Sequence, residues 1–348
     1  MALCVVLGSR LPMTTAEEAR TRRDDTDPLA GIDLSALWAR LRPRLRPTLI
    51  LPAERLGAEL HCDLYLACET HQHTGSFKYR AALGAALVAT APRLITASSG
   101  NFGAALARAS AEVGRGALVV MPARSAQVKI TATRAYGATV DLIDTERITR
   151  QARVAELAAA DPQAQVVSAY DEAAVIAGNG SLGAELFADG ALPGGPPELV
   201  ISPVGGGGLS AGLCAARDLL MPGCQVLGAE PALGNDGARS LRAGVLLQND
   251  AEPDTLCDGA RTLSLGRRNF AILRRALAGI VEVEDRLVVQ ALRRLFVEVN
   301  LKVEPTGALA VAALLAQPER VRGRRVVCVI SGGNVDAGLY ARLLTEDL

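Results

Sequence analysis

The feature that most constrains the fold is an alternation that runs from about residue 94 towards the end of the chain. Short runs rich in β-branched residues end in glycine, serine or proline, and alanine- and leucine-rich stretches follow them. Strands separated by helices of about 10–15 residues are typical of a parallel sheet with crossover helices. The predicted strands are Leu94–Ala97, Ala117–Met121, Val140–Ile143, Val166–Ser168, Leu199–Ser202, Val226–Ala229 and Val326–Ile330. The predicted helices include 103–113, 126–136, 148–160, 209–220, 285–300 and 307–316. The chain is therefore predicted to be an α/β protein that binds its ligand beyond the carboxyl ends of the strands.

Length and charge exclude several classes of partner. The 348 residues carry 37 basic and 37 acidic side chains, so the formal net charge is zero and no nucleic-acid partner is expected. No apolar run reaches the ~18 residues that span a bilayer, so no membrane partner is expected either. A chain of this length suggests two lobes or domains rather than a single core.

The cysteines predict the cellular compartment of the protein, and the first residues predict how well its N-terminus is ordered. None of the seven cysteines belongs to a C-x-x-C pair, which argues against a zinc knuckle or a disulfide framework. Small buried thiols in a reducing compartment are the simpler interpretation, and it predicts a cytoplasmic protein. Residues 1–30 include a polar, charged stretch and are predicted to form a flexible N-terminal extension.

The first candidate loop is "SSGN", which follows the predicted strand at Leu94–Ala97. Its residues are Ser98, Ser99, Gly100 and Asn101, and an alanine-rich helix follows them. Helix N-termini expose unpaired N–H groups, and together with serine hydroxyls they suit a small carboxylate. The alternative is an ordinary helix-capping loop, and this stretch by itself does not decide between the two.

Two further loops follow predicted strands. Four consecutive glycines, Gly205 to Gly208, precede Leu209 and a helix, and only glycine lets successive backbone N–H groups crowd around an oxyanion. A phosphate at that helix N-terminus is the predicted ligand, with a bland flexible turn as the alternative. The third loop is "SGGN", where Ser331 ends a very apolar strand and could hydrogen-bond a ring nitrogen; a simple strand-to-helix turn is the alternative.

The stretch "HQHTGSFKYRAAL" places Lys78 between two aromatic residues at the start of a helix. Alone, it predicts a helix with Ser76 as its N-cap and an outward-pointing lysine. Beside a phosphate loop, a carboxylate loop and a lone hydroxyl, the lysine has another interpretation. A lysine kept from water has a lowered pKa and can attack an aldehyde. The cofactor that carries an aldehyde, a phosphate and a ring nitrogen is pyridoxal 5′-phosphate.

These four motifs, in this order, resemble those of the fold-type II pyridoxal-phosphate enzymes, the tryptophan-synthase β-like superfamily. The chain is most similar to the threonine/serine dehydratases and serine racemases of that family, from about Pro47 to Gly338. The resemblance implies a homodimer in which each chain has two α/β domains with mostly parallel sheets and the cofactor in the cleft between them. The large cofactor-binding domain would comprise 31–90 and 170–348, and a small mobile domain would comprise 91–169.

The resemblance also implies roles for individual residues. Lys78 would carry the cofactor covalently, and Asn101 would hydrogen-bond its 3′-oxygen. Ser331 would stand at the pyridine nitrogen. The segment from Gly205 through Gly206, Gly207 and Gly208 to Leu209 would hold the phosphate. The substrate carboxylate would lie against Ser98, Ser99, Gly100 and Asn101.

Two departures and one metal site complete the comparison with the family. Ala81 stands where glycine is usual, and Phe102 follows the "SSGN" loop, where it could narrow the substrate pocket. In serine racemases the spacing of Glu230, Gly234 and Asp236 holds a divalent cation, and two carboxylates with a backbone carbonyl offer the hard oxygens that Mg²⁺ prefers. The alternative is a pair of solvated loop acids.

The leading functional hypothesis is a pyridoxal-phosphate-dependent ammonia-lyase. It would convert L-threonine, L-serine or a related 3-hydroxy amino acid to ammonia and a 2-oxo acid by β-elimination, with Lys78 removing the α-proton. The alternative is a serine or aspartate racemase, in which Lys78 and Ser99 would act as acid and base on opposite faces. β-Replacement is disfavoured, because those relatives carry a threonine in the phosphate loop. A catalytically silent binding protein is disfavoured by the intact lysine and both anion loops.

Overall fold

The computed structural model describes residues 27–98, 100–125 and 127–346, and it contains two separate sheets. The larger has six strands in the order β1-β2-β10-β7-β8-β9, and every neighbouring pair is parallel except β1 with β2. The smaller has the order β5-β4-β3-β6 and is parallel throughout. The strands are β1 Leu49–Pro52, β2 Asp63–Cys68, β3 Arg93–Ala97, β4 Gly116–Pro122, β5 Thr139–Ile143, β6 Ala164–Val166, β7 Leu199–Pro203, β8 Gln225–Pro231, β9 Ile280–Val283 and β10 Arg325–Ile330.

Helices cover both sheets. They are α1 Leu34–Leu41, α2 Glu54–Leu60, α3 Lys78–Val88, α4 Asn101–Glu112, α5 Gln127–Ala135, α6 Arg150–Ala160, α7 Ala173–Leu186, α8 Gly208–Leu220, α9 Asp236–Ala243, α10 Arg267–Ala276, α11 Asp285–Val299, α12 Pro305–Ala316 and α13 Ala337–Thr345. The predicted α/β architecture with mostly parallel sheets is confirmed. None of the helices in the described part of the chain is long and apolar enough to cross a membrane.

The large sheet is buried on both faces, which explains its continuous apolar strands. Along β10, Val327 and Val329 pack into the core beneath α3, α7 and α8. Val326, Cys328 and Ile330 pack into a second core beneath α11 and α12. Successive side chains of a strand point to opposite faces, so a strand with helices on both sides has no polar face.

The strand predictions differ from the structure in position and in number. The strand predicted at Val166–Ser168 lies at Ala164–Val166, because its partner β3 begins at Arg93 and the register pairs that residue with Ala164. Strands β1, β2 and β9 were not predicted.

The helix α3 also differs from its prediction. It has Phe77 rather than Ser76 at its N-cap, and no side chain caps it.

The strands of each sheet fall within the segments predicted for one domain, and the division into two domains stays a prediction. Strands β3 to β6 all lie within 91–169, the segment predicted as a small mobile domain, whose mobility stays a prediction. The six strands of the larger sheet lie within 31–90 and 170–348. Of the predicted N-terminal extension, 1–30, only the last four residues fall within the described part of the chain.

Candidate active site

The loops that follow β3 and β10 and the segment around Lys78 are hydrogen-bonded to one another. The stretch "HQHTGSFKYRAAL" and the "SGGN" loop are joined directly, because the Phe77 N–H donates to the Ser331 carbonyl at 3.0 Å. The "SGGN" and "SSGN" loops are joined as well, since Asn334 Nδ2 donates to Asn101 Oδ1 at 2.9 Å. Segments that follow strands of both sheets are therefore in direct contact.

Lys78 is the first residue of α3, and its amine has few partners. Its Nζ donates to the Ala169 carbonyl at 3.1 Å and lies 4.9 Å from the centroid of the Phe77 ring. The Phe102 ring, buried on α4, lies 5.9 Å from the same nitrogen. Burial lowers the pKa of Lys78 to about 8, and the charge of Glu304 only partly opposes that shift. Near neutral pH the amine can therefore be populated in its neutral, nucleophilic form.

The four-glycine loop leaves several backbone N–H groups without an acceptor. None of the N–H groups of Gly205, Gly206 and Gly207 finds a hydrogen-bond acceptor among the residues that the structure describes. The loop leads directly into the N-terminus of α8, where unpaired N–H groups and the helix dipole favour an anion. These orphaned donors fit a phosphate group of the kind that the sequence predicts.

Glycine is required in this loop because its walls are close. Gly207 has φ +87°, a conformation that side-chain-bearing residues rarely adopt. A Cβ on Gly206 would lie 2.3 Å from the Tyr170 ring. Asn269 holds the same turn by donating from Nδ2 to the Gly206 carbonyl at 2.6 Å and to the Tyr170 carbonyl at 3.0 Å. The missing side chains thus make room for Tyr170 as well as for an anion.

The "SSGN" loop caps the helix that follows it. The Ser98 hydroxyl accepts hydrogen bonds from the N–H groups of Gly100 and Gly103, at 3.3 and 3.1 Å. Ser98 therefore performs the ordinary capping function that was the alternative interpretation, and its hydroxyl donates to no acceptor among the described residues. Asn101 begins α4. Ser99, the proposed second acid/base, lies outside the described residues.

An acidic residue that sequence reasoning missed faces Asn101. Glu304 is 5% exposed and precedes α12, and its two carboxylate oxygens accept from Asn101 Nδ2 at 2.9 and 3.2 Å. Burial, together with the charge of Asp258, raises the pKa of Glu304 to about 7. An acid between an apolar run and a helix-starting proline in "VEPTGALA" was the available signal. Tyr170 and Asn269, which hold the glycine loop, carried no comparable signal.

Ser331, the residue predicted to stand at the pyridine nitrogen, is buried beside the segment that carries Lys78. It follows β10 directly, is 2% exposed, and its carbonyl accepts from the Phe77 N–H group. Its loop is tightly packed, because a Cβ on Gly332 would lie 2.5 Å from Glu304 Oε1. The backbone of this loop is thus hydrogen-bonded both to the segment around Lys78 and to Glu304, which in turn accepts from Asn101.

The predicted cation ligands lie at the end of β8 and the start of α9. Glu230 is 1% and Asp236 2% exposed, so they are not solvated loop acids. Burial raises the pKa of Glu230 to about 8, with Asp236 adding to the shift, and burial raises the pKa of Asp236 to about 6. Asp236 Oδ2 has no hydrogen-bond partner in the described part of the chain. Gly234 lies in the short turn between the two carboxylates.

Comparisons with known proteins agree with this geometry. A family model described as pyridoxal-phosphate dependent enzyme matches residues 41–332. The chain is 36% identical over 302 residues to an L-threo-3-hydroxyaspartate ammonia-lyase from Pseudomonas sp, covering 85% of this chain and 92% of that one. It is 33% identical over 318 residues to a serine racemase from Schizosaccharomyces pombe, covering 90% and 97%. A crystal structure of a T.th. threonine deaminase superposes with a TM-score of 0.81 at 40% identity, covering 87% and 97%. The prediction of a fold-type II enzyme is confirmed.

Proposed function

This chain belongs to the family of pyridoxal-phosphate dependent enzymes, and we propose that it deaminates an L-3-hydroxy amino acid by β-elimination. The substrate would be L-threonine, L-serine or 3-hydroxyaspartate, and the products would be ammonia and a 2-oxo acid. The observation that carries the proposal is the amine of Lys78, partly buried and weakly partnered, beside a glycine loop with orphaned N–H groups. The similarity to ammonia-lyases that act on such substrates supports it.

The residues of this chain have distinct tasks in that reaction. Bound pyridoxal phosphate would supply an aldehyde for capture by an amine and a ring that stabilises negative charge at the substrate α-carbon. The N–H groups of Gly205 to Gly208 and Leu209 would hold the phosphate. Lys78 would accept the α-proton, because its lowered pKa keeps a neutral amine available near neutral pH.

Ser331 and the "SSGN" loop would tune the outcome. A hydroxyl at Ser331 stabilises a protonated ring nitrogen less than a carboxylate would. The ring then stabilises negative charge at the substrate α-carbon less well, which favours early loss of the β-hydroxyl. Ser98, Gly100 and Asn101 would bind the substrate carboxylate at the N-terminus of α4, together with Ser99.

Racemisation is the second candidate function. The similarity to the serine racemase of Schizosaccharomyces pombe favours it, and it would use Lys78 and Ser99 as acid and base on opposite faces of serine or aspartate. A panel of L- and D-serine, L- and D-threonine and 3-hydroxyaspartate, assayed for 2-oxo acid and for enantiomer, separates the two. We expect 2-oxo acid as the main product, with no product from Lys78→Ala. An enantiomer without 2-oxo acid would favour the racemase, and neither product would contradict both.

The proposal also covers a bound divalent cation, the oligomeric state and the cellular location. Glu230 and Asp236, with the Gly234 carbonyl, are proposed to bind Mg²⁺ or Ca²⁺, because two buried carboxylates with a free oxygen suit a hard cation. We also propose a homodimer, which light scattering of the purified protein would test.

The proposed location is the cytoplasm. The free state of the six cysteines in the described residues supports a reducing compartment.

A further inference from the structure

Asn101 is held at both ends of its side-chain amide, by the residue that precedes α12 and by a residue of the loop that follows β10. Its Nδ2 donates to Glu304, and its Oδ1 accepts from Asn334 Nδ2 at 2.9 Å. Asn334 is itself held, since its Nδ2 also donates to the Thr74 carbonyl at 2.7 Å. The partners are 203 and 233 residues away along the chain. The amide is therefore clamped across the cleft between the two sheets.

The chemistry of the two clamping groups decides which way the amide points. An ionised carboxylate only accepts hydrogen bonds, so it selects the NH₂ end of Asn101. The NH₂ group of Asn334 only donates, so it selects the oxygen end. Both choices agree. A single hydrogen shared between the two Glu304 oxygens would leave the second hydrogen of Asn101 Nδ2 as a donor towards the cofactor.

We propose that Glu304 is a positioning residue that fixes the amide orientation of Asn101, so that a hydrogen-bond donor faces the 3′-oxygen of pyridoxal phosphate. This inference rests on the proposed function, because it requires the cofactor in this cleft. A donor at that oxygen favours its anionic form, which absorbs in the visible range, over the neutral form, which absorbs in the near ultraviolet. The two forms would differ by one proton, which lies either on the nitrogen that joins Lys78 to the cofactor or on the 3′-oxygen.

The charges around Glu304 bear on the state of its carboxylate. Burial raises its pKa, with Asp258 adding to the shift, while the Asn101 hydrogen bond and the charges of Lys129 and Lys78 lower it, and the result is about 7. Below that pH a protonated Glu304 can donate to the oxygen of Asn101 and reverse the amide. The visible band of the wild-type holoenzyme should therefore weaken on acidification below about pH 7.

The test uses the holoenzyme and its absorbance spectrum. In Glu304→Gln the new amide can pair with Asn101 in either orientation, so we expect the ratio of visible to near-ultraviolet absorbance to fall about tenfold at pH 8, as when one charge-assisted hydrogen bond is lost. The pH dependence near 7 should vanish, and Glu304→Asp should restore part of the visible band. The control is Glu284→Gln, which removes an exposed acid at the equivalent position before α11 and should leave the spectrum unchanged.

A double substitution tests whether Glu304 acts through Asn101. In an Asn101→Ala background, Glu304→Gln should have no further effect on the spectrum. Asn334→Ala, which removes the opposite clamp at an exposed residue, should shift the spectrum in the same direction even if Glu304→Gln fails to fold. An unchanged spectrum in Glu304→Gln and Asn334→Ala, with wild-type 2-oxo acid production intact, would overturn the inference and leave the proposed function standing. Failure of the wild type to bind the cofactor would overturn both.

Discussion

Lys78 and Arg80 lie on the same first turn of α3, yet their surroundings differ completely. Arg80 is fully buried, and its guanidinium donates to Glu69, Glu185, Thr48 and Ser181. Burial alone would lower the pKa of Arg80, but the two carboxylates outweigh it and hold that pKa above its usual value. The amine of Lys78 has one carbonyl partner, and burial lowers its pKa to about 8.

The difference shows how one helix turn serves two purposes. A cation surrounded by carboxylates stays charged and ties together the elements that supply them, here the end of β2 and the helix α7. A cation without such partners loses its proton easily and becomes a nucleophile. Arg80 can thus hold α3 in place while Lys78, two residues earlier, remains reactive.

The largest expected effect comes from removing the weakly partnered cation. Lys78→Ala should lower kcat by about ten thousandfold, because both covalent capture and proton transfer are lost. Borohydride reduction followed by peptide mass spectrometry should find the cofactor on Lys78 in the wild type and on no lysine in the variant. An adduct on Lys129 or Lys302 would show that the wrong lysine was assigned.

Removing the paired cation should affect stability instead of chemistry. Arg80→Met leaves two carboxylates without their partner and should lower the free energy of unfolding by about 3–5 kcal/mol in urea titrations. Glu185→Gln is the matched control, and its cost should be smaller because its side chain is 32% exposed. If Arg80→Met were as stable as the wild type, the network could not be what anchors α3.

Glu230 and Asp236 extend the comparison to buried acids, whose pKa values burial raises. Their pKa values of about 8 and about 6 lie above the usual 4.5 and 3.8, so the metal-free native state binds more protons than the unfolded state between about pH 4 and 8. Its stability should therefore fall as the pH rises through that window. A cation replaces those protons, so Mg²⁺ should stabilise the protein more at pH 8 than at pH 6.

The size of that stabilisation can be measured by thermal melting. Mg²⁺ at a hundredfold excess over its Kd should add about 2.7 kcal/mol, and chelation should remove it. Asp236→Asn should abolish the response while the bound-cofactor spectrum stays intact, and Asp218→Asn, an exposed acid on α8, should retain it. A parent protein whose melting temperature ignores Mg²⁺ at pH 8 would exclude the site.

The smallest effect is expected in the glycine loop, where backbone N–H groups replace a cation as the anion's partner. Gly206→Ala should weaken cofactor affinity about tenfold, because its Cβ would lie 2.3 Å from the Tyr170 ring and the loop would have to shift. Adding Tyr170→Ala should restore much of the affinity, as titration of the apoenzyme would show. Unchanged affinity in Gly206→Ala would place the phosphate elsewhere.

Local patterns in the sequence predicted the parts of this molecule that depend on local structure. Lys78, the glycine loop and Ser331 each occur within a few residues of a strand end or a helix start, so their motifs could be recognised. The strand β1 was missed because it is short and pairs antiparallel at the sheet edge, outside the repeating pattern. β9 has only four residues and pairs with β8, so its burial depends on a neighbour far away in the chain.

Contacts between distant segments were beyond reach of the sequence patterns. The pairing of Glu304 with Asn101 joins residues 203 apart, and that of Arg80 with Glu185 joins residues 105 apart. Charged residues are rarely buried without a partner, so an acid in an apolar segment is a signal. It does not reveal which partner the fold supplies.

The central claim is that the surroundings of Lys78 keep its amine easily deprotonated, and the pH dependence of cofactor capture tests it most directly. The rate at which the apoenzyme captures pyridoxal phosphate should follow the neutral fraction of this amine, rising about tenfold per pH unit below the midpoint and levelling above it. We predict a midpoint near pH 8, shared by Arg80→Lys if that variant folds. A midpoint near 10.5, the ordinary value for lysine, would contradict the account.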